Sequence, residues 1–164
     1  MSHVIVDELT EESWMRYRDI RIKALESDGH AFGGDLNSER NFSEEAWREK
    51  ARQYIGLIAH VEGKDVGMMT VENLVGDFDA TCWIGSCWVD PDFRKYGALR
   101  ALFEYTDRQS IERSWHVQGL GVWIDNQIAI TAYERLGFKK MGEAQESTRK
   151  PGKYYQKMIR VAAK

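Results

Sequence analysis

The chain has 164 residues, 43% of them hydrophobic and 12% aromatic, which is enough to bury a core within one domain spanning residues 1–164. A formal net charge of −3 excludes the broad basic field that draws proteins to nucleic acid or anionic lipid, so any anion site has to be local. No stretch approaches the ~18 apolar residues of a membrane span.

The opening "MSHVIVDELTEESW" has neither the basic flank nor the apolar run of a secretory signal, so a cytoplasmic location is expected, with no nucleic acid and no membrane as partner. Its "VIVDEL" reads as a strand. Thr10 then caps a helix with Glu11 and Glu12 in its first turn, and Trp14, Tyr17, Arg21 and Leu25 recur along it at helical spacing until Gly29, which suits its end. Beyond the loop "HAFGGDLNSER", Ser43 caps a second helix, with Phe42 and Trp47 placed as a hydrophobic staple. "YIGLIAHV" and "DVGMMTVENL" flank "EGK" and predict an antiparallel hairpin. "VGDFDA" turns the chain into a further strand, "TCWIGSCWV".

Leu99, Leu102, Phe103 and Thr106 then mark one face of a helix over residues 97–114, followed by the strand "VQGLGVWI". The next helix begins at Asn126, aligns Ile128, Ala129, Ala132, Tyr133 and Leu136, and stops at Gly137. "FKKMGEA" and "YYQKMIRVA" close the chain as a strand pair. The order is strand, two helices, three strands, helix, strand, helix, two strands. It implies an α/β fold with a mixed sheet, antiparallel at first and gaining a parallel pair around the crossover helix.

Cys82 and Cys87 lie roughly 16 Å apart on an extended segment, too far to bridge, and read as buried thiols of a reducing compartment. The histidines His3, His30, His60 and His116 are scattered without ligand spacing, and no metal is predicted. In "TCWIGSCWV", Ile84, Cys87 and Val89 look like inward positions. Their spacing breaks strict alternation and suggests a β-bulge near Gly85 and Ser86. The plainer alternative is that Gly85 accommodates bulky Trp83 and Trp88.

A strand, a turn and a helix N-terminus make a recipe for holding phosphate, because the first helical amides have no internal partner and the dipole favours an anion. "VDPDFRKYGALR" supplies this, with Arg94, Lys95 and Arg100 adding charge; an ordinary solvated basic loop is the competing reading.

Val89, Pro91, Arg94 and Gly97 follow the pattern V-x-P-x-x-R-x-x-G-x-(G/A), which resembles the acetyl-CoA pyrophosphate motif of GNAT-type N-acetyltransferases. Leu99 stands where that pattern has a small residue; its amide can still serve the pyrophosphate while its side chain follows the Leu102 and Phe103 face. "NQIAITAYERLGF" resembles a second family segment at Asn126, Ala129, Tyr133, Gly137 and Phe138. The resemblance implies the GNAT fold, with a β-bulge that splits the fourth strand from the fifth.

It also implies acetyl-CoA as acyl donor and no metal. The donor would be held by Arg94, Lys95, Tyr96, Gly97, Ala98, Leu99 and Arg100, by Asn126, and by the amides of Trp88 and Val89. Asn126 can cap its helix as well. Tyr133, protonated at neutral pH with a reference pKa of about 10, is implied as proton donor to the departing CoA thiolate; a core tyrosine on an amphipathic helix is the alternative. Many relatives carry a carboxylate base on the fourth strand at the position occupied here by Trp83. Glu72 is the nearest substitute, its alternative being a solvated strand-end glutamate.

The loop "HAFGGDL" implies that Phe32 and Gly33 line the acceptor pocket. Trp83, Trp88 and Trp123 can wall that pocket or serve as core, and Asp35, Glu39, Asp77 and Asp79 can attract a cationic amine. The expected function is transfer of an acetyl group to a primary amine of a small molecule. A protein or peptide acceptor, or a non-catalytic acyl-CoA sensor, is the alternative, and the family resemblance allows a homodimer.

Overall fold

The computed structural model describes residues 3–163. β1 (Val4–Glu8) is followed by a 3-10 turn over Glu11–Ser13, in which the Thr10 carbonyl, not its side chain, takes the Ser13 amide at 2.9 Å. The turn runs into α1 (Trp14–Asp28), whose buried face is Trp14, Tyr17, Ile20, Arg21, Ala24 and Leu25. Gly29 does not stop this helix through a left-handed cap. It keeps φ −52 and starts another 3-10 turn, Gly29–Ala31.

The glycine loop contains a short helix that the sequence pattern hides, α2 (Leu36–Arg40), capped by Asp35 through the Ser38 amide at 2.9 Å. α3 (Glu44–Gln53) has the cap and staple its sequence specifies: Ser43 Oγ accepts the Ala46 amide at 3.1 Å, and Phe42 meets Trp47 edge to face at 5.4 Å. Trp47 joins Trp14, Tyr17, Ile20, Ile58 and Met68 in one core cluster.

β2 (Ile55–Val61) and β3 (Lys64–Asn73) form the expected hairpin. Glu62 (φ 51) and Gly63 (φ 80) are both left-handed, the two-residue turn whose twist matches that of the strands. A 3-10 turn at Asp77–Asp79 leads to β4 (Cys82–Val89). The crossover predicted as one helix is two, α4 (Ala98–Arg108) and α5 (Ser110–Arg113), broken at Gln109; Ser114, at φ 60, ends the second and leaves Ile111 in solvent.

β5 (Val117–Trp123), α6 (Gln127–Arg135), β6 (Lys139–Glu146) and β7 (Tyr154–Val161) complete the order. On α6 the buried residue is Ile130, at 2% exposure, whereas Ile128, expected on the apolar face, is 85% exposed. Among the described residues no helix is long and apolar enough to cross a membrane.

Two compact units divide the chain: one takes in residues up to Glu72 together with Ser86–Tyr105, the other Asn73–Gly85 together with residues from Thr106 onward. In the first, α1, α2 and α3 accompany strands ordered β1-β2-β3-β4, with β2 antiparallel to both β1 and β3. In the second the order is β4-β5-β7-β6, where β4 and β5 run parallel and β7 is antiparallel to both of its neighbours. β4 therefore serves both ladders, and the boundary falls between Gly85 and Ser86.

Candidate active site

β4 carries the feature the alternation predicts. Ser86 has φ 53, a left-handed serine inside a strand, and the parallel ladder to β5 consists of the rungs Cys82↔Gln118 and Trp83↔Gly119, ahead of that kink. The buried positions differ from the expected set. Cys82, Ile84 and Trp88 are buried, while Cys87 and Val89 are half-buried. Burial pushes the Cys82 thiol up to about 12.

Beyond the kink, the Asp90 amide bonds the Val66 carbonyl at 2.7 Å, and the Trp88 carbonyl lies 3.2 Å from where a Cβ on Gly67 would stand. Alternation along β4 then turns the Val89 peptide to the edge away from β3 and the Trp88 peptide toward β3. The Trp88 ring is anchored through its Nε1, which donates to Asp28 Oδ2 at 2.8 Å.

Asp90 opens the loop that leads to Gly97. Its carboxylate accepts the Asp92 amide at 3.0 Å and faces Lys23 Nζ at 3.0 Å. Burial works against its charge, but the Asp92 amide and the Lys23 ammonium outweigh it and hold the carboxyl below its ordinary range. A 3-10 turn over Pro91–Tyr96 ends at Gly97, whose φ of 80 is the conformation glycine adopts without a Cβ penalty. Nothing lies within 4 Å of a Cβ there, so what demands glycine is the backbone angle and not crowding.

The Gly97 carbonyl accepts the Ala101 amide at 3.0 Å, which puts the amides of Ala98, Leu99 and Arg100 ahead of the first backbone bond of α4. Around that end Arg94, Lys95, Tyr96 and Arg100 are exposed, Ala98 is buried with Leu102 and Phe103, and Leu99 is half-buried. Arg94 donates through Nε to the Val89 carbonyl at 3.1 Å and through Nη2 to Asp28 at 3.2 Å. Burial opposes the charge of Asp28, yet hydrogen bonds from Trp88 and Ser27 and the charge of Arg94 lower its pKa.

The same unit places Phe32 and Gly33 beside a buried ion pair. Arg21 Nε and Nη2 grip Glu39 Oε1 and Oε2 at 2.9 and 3.0 Å, Arg21 Nη1 donates to Ser86 Oγ at 3.0 Å, and the guanidinium carbon stands 5.0 Å from the Phe32 ring centroid. Glu39 is therefore neutralised from within and does not serve as an attractor for a cationic amine. Asp35 is occupied as a cap, and in the other unit Asp77 pairs with Lys157. Glu72 is half-buried near the end of β3, with Gln53 Nε2 at 3.5 Å from it.

Arg21, Ser86 and Asp28 enter this network although no sequence motif marks them. For Arg21 the signal was present: a charged residue at a buried helical position is rare unless it is paired.

In the second unit the Trp83 ring covers Gly119 of β5, so that a Cβ there would come within 2.4 Å of it. Asn126 caps α6, its Oδ1 accepting the Ala129 amide at 3.2 Å. Tyr133 is half-buried and packs edge to face on Phe138 at 5.8 Å. Trp123 is buried under the ammonium groups of Lys150 and Lys153, at 6.0 and 4.8 Å from its ring.

A strand kinked ahead of a 3-10 turn, and a helix opened by a left-handed glycine amid exposed cations, define an α/β protein with a loop suited to a phosphate-like anion. The chain belongs to the acetyltransferase (GNAT) family, whose model matches residues 9–138. It is 30% identical over 97 residues to an uncharacterized N-acetyltransferase of Methanocaldococcus jannaschii; the match takes in 57% of this chain and 43% of that protein, under half its length.

Among solved structures, a GNAT-family acetyltransferase of Streptococcus pneumoniae superposes with a TM-score of 0.72 at 15% identity, covering 98% of this chain and 100% of that one. Spermidine N-acetyltransferase from Vibrio cholerae, solved with CoA and spermine, gives 0.72 at 12% identity over 97% and 95% of the two chains. The ribosomal-protein-S18-alanine N-acetyltransferase of Escherichia coli gives 0.68 at 18% identity over 99% and 96%. At these identities the likeness is one of fold.

Proposed function

We propose that this chain, acting as one acetyltransferase domain in a reducing compartment, transfers an acetyl group from acetyl-CoA to a primary amine of a small molecule. The observation that carries the reading is the Gly97 loop. Its open surroundings, the amides of Ala98–Arg100 and the exposed cations fit a pyrophosphate, and the family match runs through both units. Arg94, Lys95, Tyr96 and Arg100 would hold the donor from their side chains, Gly97, Ala98 and Leu99 from the backbone, and Asn126 would assist beside its capping role.

The donor supplies an activated thioester. The protein's part is to deliver a neutral amine to it, to meet the negative charge that grows on the carbonyl oxygen, and to protonate the departing thiolate. The Val89 amide, turned away from β3, is the donor assigned to the oxygen. Tyr133 is assigned to protonate the thiolate. Glu72 is assigned to take the proton from the amine, and Phe32, Gly33 and Trp83 to border the acceptor.

The test is release of CoA thiol from acetyl-CoA over a panel of polyamines, amino acids, aminoglycosides and peptides. Turnover with a small amine is expected, and Tyr133→Phe should slow it by roughly 10²-fold with the affinity for acetyl-CoA little changed. Turnover confined to peptides would replace the small acceptor by a protein one. Tight acetyl-CoA binding without turnover on any amine would make the chain a sensor and sink the enzymatic reading.

A further inference from the structure

Ser86 is the one non-glycine residue with positive φ inside a strand among the described residues. A non-glycine residue in the left-handed region persists where its surroundings hold it there. The group that touches it is buried and charged. Arg21 reaches from α1 to the Ser86 hydroxyl, and its other contacts leave it little freedom: two nitrogens are forked onto Glu39, and the Phe32 ring lies against the guanidinium. Arg21 is 9% exposed and Glu39 4%. Gly34 closes the cluster, since a Cβ there would stand 2.1 Å from Glu39 Oε2 and 2.5 Å from Arg21 Nη2. The short helix α2 thus delivers a carboxylate that orients an arginine, and the arginine ends on the kinked residue of β4.

We propose that Arg21 is a positioning residue. Braced by Glu39, it holds Ser86 in its left-handed conformation and thereby sets the direction of the β4 peptides that follow, Val89 among them. This rests on the acetyltransferase reading, in which the Val89 amide meets charge developing in the transition state. A misplacement of about 1 Å in such a donor costs up to about 10²-fold in rate. The pair differs from an ordinary buried salt bridge in where its third contact ends. Lysine would keep the charge and lose the planar fork that reaches Glu39 and Ser86 at once.

The experiment is a double-mutant cycle of Arg21→Lys with Ser86→Gly, followed by CoA release and by amide hydrogen exchange over residues 86–89. Glycine adopts the left-handed conformation without help, so it should mask the lysine. Arg21→Lys alone is expected to lower kcat about 10-fold or more, with the Kd for acetyl-CoA little changed and faster exchange at 86–89. In the Ser86→Gly background the same change should cost only about 2- to 3-fold.

An equal loss in both backgrounds, or unaltered exchange at 86–89 in Arg21→Lys, would overturn the proposal. Ser86→Ala, which deletes only the hydroxyl, guards against a lysine variant that folds poorly and should also speed that exchange. Failure of the wild-type protein to release CoA would sink the acetyltransferase reading instead, and the exchange measurement would still decide whether Arg21 holds the kink.

Discussion

Arg21 and Arg160 are both buried arginines that grip a carboxylate through two nitrogens, yet the remaining contacts of each end on different kinds of backbone. Arg160, on β7, takes Asp107 at 2.8 and 2.6 Å, the Gln118 side chain at 2.8 Å and the Leu136 carbonyl at 2.7 Å. Gln118 lies in a regular strand and Leu136 at the end of a helix. Arg160 therefore ties ordinary elements together and fills their hydrogen-bonding capacity. Arg21 spends its third contact on a left-handed serine. Burial and pairing alone do not distinguish a structural tie from a positioning group; what lies at the far end does.

The largest effect expected is on the structural side of this contrast. Arg160→Ala leaves the half-buried Asp107 carboxylate and the buried Gln118 Oε1 without the guanidinium and should cost about 3–5 kcal/mol in urea or thermal denaturation. The protein that remains folded should keep its rate of CoA release. A rate loss beyond the lost folded fraction would erase the distinction drawn between the two arginines.

A smaller effect is expected of Gly34→Ala. The atoms it would meet are side-chain ends, but both are locked in the fork, so they yield only by opening the ion pair. Overpacking of this kind costs about 1–3 kcal/mol, and the variant should share the exchange signature of Arg21→Lys at residues 86–89. Wild-type stability and exchange in Gly34→Ala would show the Arg21 cluster to be looser than its geometry indicates.

The smallest effect concerns acid stability. The pKa of Asp28 is lowered in the folded chain, so its contribution is fully present above the ordinary carboxylate value and is lost as pH falls through the lower folded one. Asp28→Asn should flatten the fall in melting temperature across that acid window and weaken the hold on Arg94 and Trp88. An unchanged acid profile would remove Asp28 from the set of groups that order this loop.

Features that depend on neighbours along the chain were readable from the residues themselves. Ser43, Phe42 and Trp47 announce the start of a helix, "EGK" announces a tight turn, and the broken alternation after Ile84 announces the kink. The motif marks Gly97, and the structure gives the reason for glycine there as its φ of 80 and not a crowded surface. Weak periodicity hides the rest: α2 sits in a segment rich in loop residues, and Ile128 and Ile130 are equally apolar, so only packing chooses between them.

By itself the sequence determined the order of the strands and of the longer helices, the Gly97 turn and the family, because caps, turns and periodic faces act over a few residues. Only the tertiary structure decided that Glu39 faces inward to Arg21 and that Arg21 reaches Ser86. Those bonds join residues 18 and 65 positions apart. Charged side chains look alike along a chain, and the folded backbone alone brings one to its partner and buries the pair.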